Sequence, residues 1–164
     1  MGLDMYLVRK KKYAKRKWEN MDEVAYWRKA NHIHGYFVRE IVKEENEGDY
    51  RGEYVKVSKK QLSELLALVD NLLENIVLED GMVHNGDRLD MRTGKFIPIY
   101  EPGKNIANPE ICEKVLPVTD GFFFGSQEYS EYYYDTLVLT KELLERILRE
   151  TDFNKYIIYY CASW

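Results

Sequence analysis

The sequence predicts an α+β domain, with a mixed or antiparallel sheet and about four helices, on three observations. Leu3, Met5 and Leu7 alternate with Asp4 and Tyr6, the period-2 pattern of a strand. Leu62, Leu65, Leu66, Val69, Leu72, Leu73 and Ile76 recur at helical spacing. Strand-like and helix-like stretches then follow without regular alternation or a glycine-rich fingerprint, which argues against a doubly wound sheet. The 164 residues fit one domain spanning 1–164, and a 45% hydrophobic content fills one core.

Taken in order, Leu3 to Val8 is the first strand, and the basic run Arg9 to Lys17 is a loop leading into a helix over Glu23 to Ile41. That helix gathers Tyr26, Ala30, Ile33, Phe37 and Ile41 on one side. Trp27, Asn31, His34 and Val38 form a second stripe beside them, and Asn20 or Asp22 is the N-cap. Glu44 to Gly52 is polar and glycine-bearing, a turn before a short strand at Glu53 to Val57. Ser58 and Gln61 form a Ser-x-x-Gln capping box ahead of the helix that ends near Ile76.

From Glu79 to Ala107 the chain is punctuated by Asp80-Gly81, Asn85-Gly86, Thr93-Gly94 and Pro102-Gly103. Asn-Gly favours a two-residue hairpin turn, so Met82 to His84 is expected to pair with Arg88 to Asp90. Phe96 to Tyr100 reads as a strand that Pro98 keeps at an edge. Asn108 and Pro109 have the character of an N-cap and first helical residue for a short helix to Val115. Gly121 to Gly125 reads as a buried strand, or as a turn presenting its aromatics to a ligand. Asp135 to Glu150 is the last helix, with Leu137, Lys141, Leu144 and Leu148 along one side, and Tyr156 to Ala162 is a closing strand.

The net charge of −4 argues against a general nucleic-acid binder, whose basic surface must displace counterions. The charge is uneven, because Arg9 to Lys17 holds seven basic residues and no acidic one. Such a patch on an acidic body can steer an anion, an acidic protein or a nucleic acid. The two cysteines, Cys112 and Cys161, make no disulfide framework, which suits a reducing cytoplasm. No stretch has the make-up of a secretory signal or of a bilayer span, so no membrane partner is expected.

His32 and His34 stand two apart on the expected helix, so they point about 200° from each other and cannot share an ion. No C-x-x-C or H-E-x-x-H spacing supports a metal site, and no motif calls for a cofactor. Ser126 follows Gly125 without the G-x-S-x-G elbow of a nucleophile. Recognition by aromatic faces is better supported: tyrosine occurs 14 times, clustered at Tyr129, Tyr132, Tyr133 and Tyr134 and again at Tyr156, Tyr159 and Tyr160. A pocket is therefore expected from Trp27, Asn31 and His34, with Arg28 or Arg9 at its rim and Ser126, Tyr132, Tyr133 and Tyr134 beyond the Phe-rich turn. Aromatic faces beside a guanidinium suit a planar anionic ligand such as a nucleotide, and equally a protein partner.

The chain resembles a group of small bacteriophage and prophage proteins in its MGLDMYL start, the EVAYWRKAN-x-IH stretch, NPEI before LP, GFFFGS ahead of a Tyr-rich stretch, and the closing YY-x-x-SW. The basic RKKKYAKRK run is not associated with that group. The resemblance implies an origin, a phage or prophage accessory gene expressed in the bacterial host cytoplasm, and carries no activity to any residue. The expected function is non-enzymatic: binding that counters host defence by blocking a host protein, or that sequesters a small anionic or nucleotide-like ligand. The remaining alternative is a hydrolase using His34 or an acidic pair. A Tyr-rich edge strand would allow a homodimer.

Overall fold

A computed structural model of the protein describes residues 2–14, 21–43, 52–121 and 123–164. The described residues form an α+β fold with two antiparallel sheets and four α-helices. The larger sheet has the order β2-β1-β6-β3, built from β1 (Asp4–Lys11), β2 (Asp22–Arg28), β3 (Val55–Val57) and β6 (Tyr156–Ser163). Its inward residues, Met5, Leu7, Ala25, Trp27, Ile158 and Tyr160, belong to one core with Leu62, Leu65, Val69 and Leu72 of α2 (Lys59–Asn75) and Leu137, Leu144 and Ile147 of α4 (Glu131–Glu150). No helix among the described residues is long and apolar enough to cross a membrane.

The first strand forms as the alternation requires but runs on to Lys11, so Arg9, Lys10 and Lys11 are not loop. They pair with Ile158, Ile157 and Tyr156, and the Arg9 guanidinium stands 4.8 Å from the Tyr156 ring centre and 3.3 Å from Asp22. Lys15 to Lys17 and the expected cap Asn20 lie outside the described residues, as does the expected turn from Glu44 to Gly52 apart from Gly52 itself.

The expected helix over Glu23 to Ile41 is two elements instead. Asp22–Arg28 is strand β2, with Ala25 and Trp27 pointing into the core, and Asp22 pairs in register with Arg9 rather than capping a helix. Alternation over this stretch competes with helical spacing, and the open edge of β1 decides between them by supplying a ladder of backbone hydrogen bonds. Lys29, with φ of +56°, turns the chain into α1 (Asn31–Phe37), which continues as a π-helical turn through Val42. Every residue of α1 is buried.

The capping box closes as expected: Gln61 N donates to Ser58 Oγ at 3.2 Å and Ser58 N to Gln61 Oε1 at 2.9 Å. Helix α3 (Glu110–Val115) is capped at Pro109, not Asn108. The Asn108 side chain is used elsewhere, accepting from Val77 N and donating to Asn75 O, both at 2.9 Å, which ties down the end of α2. Helix α4 starts at Glu131, ahead of Asp135, and buries Tyr133 and Thr140 beside its leucines.

Strands β4 (Leu78–Asp90) and β5 (Lys95–Ile106) form a long two-stranded ribbon. Asn85-Gly86 is not its turn. The register slips between His84 and Asp87, so the pair is a bulge inside β4, with Gly86 at φ +87° supplying the left-handed residue. Thr93-Gly94 makes the turn, where Gly94 N donates to Asp90 O at 2.7 Å. Asp80-Gly81 and Pro102-Gly103 lie within the strands. The Phe-rich segment is not a strand among the described residues: Phe123 has a left-handed backbone and is half-exposed, while Phe124 is buried.

Candidate functional site

Three segments far apart in sequence converge on an open cavity of about 640 Å³. The end of β2 and the start of α1 form one side, the loop through Gly125 and the first turns of α4 the second, and the β4 bulge the third. The tight β2-to-α1 connection brings this about. Lys29 turns in the left-handed region, and Gly125 (φ +95°) packs so closely over it that a Cβ there would come within 2.9 Å of Lys29 Cβ.

Asn31 locks the loop in place. Its Nδ2 donates to Ser126 O at 2.8 Å and to Phe124 O at 3.3 Å, and its Oδ1 accepts from Thr119 N at 3.2 Å. The Asn31 amide is thus consumed in building the wall it belongs to. Ser126 Oγ accepts from Glu128 N at 3.1 Å and closes the next turn.

His32 forms the buried floor. Its ring lies 4.1 Å from that of Tyr133, and its Nε2 has no hydrogen-bond partner among the described residues. Burial pushes the His32 pKa down to about 3, so the imidazole is neutral at physiological pH. Tyr133 contributes ring surface only, because its hydroxyl donates to Leu116 O at 2.9 Å, and burial raises its phenol pKa. His32 is among the residues lining the cavity, while its Nε2 atom itself is buried.

The rim is divided by charge. Arg28 and Lys29 stand on the β2 side, while Asp87, Glu128 and Asp135 line the cavity elsewhere, with Phe123 and Tyr132 supplying aromatic surface. His84 Nε2 holds Asp87 Oδ1 at 3.0 Å and His84 N donates to Glu128 Oε2 at 3.3 Å, so two of these carboxylates are fixed by the ribbon. Lys29 and Phe123 are two of the three non-glycine residues with positive φ among the described residues. Such backbones cost of order 1–3 kcal/mol each and cluster where a site needs a fixed geometry.

Of the residues that the sequence singles out, Arg28, Asn31, Ser126, Tyr132 and Tyr133 line this cavity. Trp27, His34 and Tyr134 do not. Trp27 faces the core from β2 and donates its indole N–H to Thr140 Oγ1 at 3.0 Å. His34 is fully buried, sharing a 2.6 Å hydrogen bond between Nδ1 and Tyr160 Oη, with Phe124 and Trp164 edge-on to its ring. The i, i+4, i+7 stripe is lost because its first member lies on a strand. Sequence reasoning missed Lys29, His32 and the His84 to Asp87 wall, and the available signal was the Asn-Gly pair, read as a turn.

Cys112 and Cys161 are buried free thiols with pKa values raised by burial, to about 11 for Cys112, so neither is poised as a thiolate. Among the described residues, no group of three or more His, Cys, Asp or Glu side chains is placed to hold a metal ion. Comparison of the chain with protein-family models, with curated proteins and with solved structures finds no match in any of the three.

Proposed function

We propose that the protein acts by binding, holding a small nucleotide-like ligand in the cavity between β2, α4 and the β4 bulge. The observation that carries this reading is the lining of the cavity, which brings the Arg28 and Lys29 cations together with the aromatic surfaces of Phe123 and Tyr132. A phosphate or carboxylate fits the two cations, and a planar ring fits the Phe123 and Tyr132 surfaces. The carboxylates of Asp87, Glu128 and Asp135 work against a ligand that is anionic throughout. They favour one that joins an anionic group to a donor-rich ring or sugar. The resemblance to bacteriophage proteins agrees with a sequestering role in a bacterial cytoplasm, where removing a small signal from solution requires no turnover.

Thermal unfolding against nucleoside phosphates and cyclic dinucleotides tests the proposal. A ligand that binds only the folded state raises the Tm by mass action, and a concentration about a hundred times its Kd adds roughly 2.7 kcal/mol. Combined Arg28→Ala and Lys29→Ala changes, and Tyr132→Ala separately, should remove the shift while leaving the unliganded Tm nearly unchanged, because all three side chains stand at the rim. A shift that survives both sets of changes overturns the assignment to this cavity, and no shift across the panel overturns the ligand class.

A further inference from the structure

We propose that the outward face of the four-stranded sheet binds single-stranded nucleic acid, at a site separate from the cavity. Its tyrosines stack on bases and its lysines meet phosphates. Alternation divides the sheet: Met5, Leu7, Ile158 and Tyr160 point inward to the helices, so the residues between them point out. Register places these outward residues in rows. Tyr26, Tyr6 and Cys161 cross β2, β1 and β6 in one row, and Val8, Tyr159 and Lys56 cross β1, β6 and β3 in the next. Lys10 and Lys12 follow on the same side of β1, where Lys12 N donates to Lys155 O at 2.9 Å and carries the register past the end of the strand.

The solvent side of an antiparallel sheet is ordinarily polar, and this one carries rings. Tyr26 is 39% exposed, and Tyr6 and Tyr159 are half-buried. The ring centres of Tyr6 and Tyr26 lie 5.3 Å apart, with their planes tilted by 41°. Tyr26 is held there by its hydroxyl, which donates to Asp4 Oδ1 at 2.6 Å. Aromatic rings fixed on a sheet are platforms on which unpaired bases stack.

Beside the rings the charge is positive. Lys12 and Lys56 are exposed, as is Lys11 at the end of β1. Acids near this end are already answered: Asp22 by Arg9, Glu64 by Lys60 and Asp152 by Lys155. Asp4 has Arg28 at 3.8 Å in addition to Tyr26. Glu23, on edge strand β2, is the remaining carboxylate of the face among the described residues. The chain as a whole carries −4, so this cationic end is a local feature that the net charge hides.

The rings decide which polyanion fits. An acidic protein meets the lysines equally well, but the face of a phenol ring is its negative side and repels carboxylates, whereas every base has a π-face that stacks on it. A duplex keeps its bases inside, so only a single strand can use the tyrosines.

Fluorescence anisotropy with labelled oligouridylate and oligodeoxythymidylate of about 12 nucleotides tests the proposal. At least one should bind, and its affinity should fall roughly fiftyfold between about 50 and 200 mM salt, as for about four phosphate contacts. Tyr6→Leu and Tyr159→Leu, which keep apolar bulk on the sheet, should each weaken binding roughly tenfold. Lys12→Glu with Lys56→Glu should weaken it and flatten the salt dependence. Arg92→Glu with Lys95→Glu makes the same change of charge on the β4–β5 ribbon and should leave binding intact. Circular dichroism verifies that each variant is folded, which the exposure of the four charged side chains favours. None of these residues lines the cavity, so a nucleotide held there is read separately. No binding of either oligomer overturns the proposal, as does a duplex or a poly-glutamate bound as tightly as the single strand. Binding that survives both tyrosine changes, or that the ribbon pair weakens as much as the sheet pair, overturns the assignment to this face.

Discussion

Burial keeps the His32 imidazole neutral, and it does so at the expense of acid stability. In the unfolded chain an ordinary histidine takes up a proton near pH 6.5, while in the folded protein burial holds His32 unprotonated down to about pH 3. Between these values the unfolded state binds more protons, so this residue lowers stability as pH falls, by about 1.4 kcal/mol per pH unit. Denaturant unfolding at pH 7 and pH 4.5 should therefore show an acid-induced loss of a few kcal/mol that is largely absent in His32→Phe, whose ring keeps the stack on Tyr133. An unchanged pH dependence in that variant would show that His32 is not the group responsible. Histidine and asparagine thus differ on α1: Asn31 spends its polar atoms on the loop, and His32 buries an Nε2 that has no hydrogen-bond partner among the described residues.

At the scale of elements, the β4 bulge sets the third wall, and Gly86 permits it. A Cβ at Gly86 would meet nothing within 4 Å, so Gly86→Ala is strained only through its φ of +87°. It should lower stability by roughly 1–2 kcal/mol and weaken ligand-induced stabilisation, measured by thermal unfolding with and without ligand. The helices and strands differed in how far they could be read from sequence. Helix α2 was legible because length, period and capping box agree. Strand β2 was not, because Glu23 to Ile41 gathers its apolar residues on one side of a helical wheel. Its break falls at Lys29, a left-handed residue with no glycine or proline to announce it. The Asn-Gly pair carried a true signal of left-handed backbone, but bulge and hairpin turn share that signal, and only the register with β5 separates them.

For the whole molecule, the α+β class followed from the mix of periods, while the site depended on contacts between segments that no local pattern encodes. The pocket-forming residues of α1 were legible only in part, since strand β2 withdraws Trp27 into the core and α1 buries His34 against β6. What joins two of the three walls is the Asn31 clamp on the segment from Thr119 to Ser126, and His84 N, donating to Glu128 Oε2, ties on the third. Apart from its turn at Phe123, that segment has no regular secondary structure among its described residues, yet its Thr119 amide is held by a buried side chain. In deuterated solvent this amide should exchange as slowly as those of β1 and β6, opening only when the core opens, while the ribbon tip around Arg92 exchanges at once. Asn31→Ala should bring Thr119 to the fast rate of a loop while leaving the strand amides slow, so that isotope uptake, read peptide by peptide, shows this irregular stretch to be kinetically part of the core.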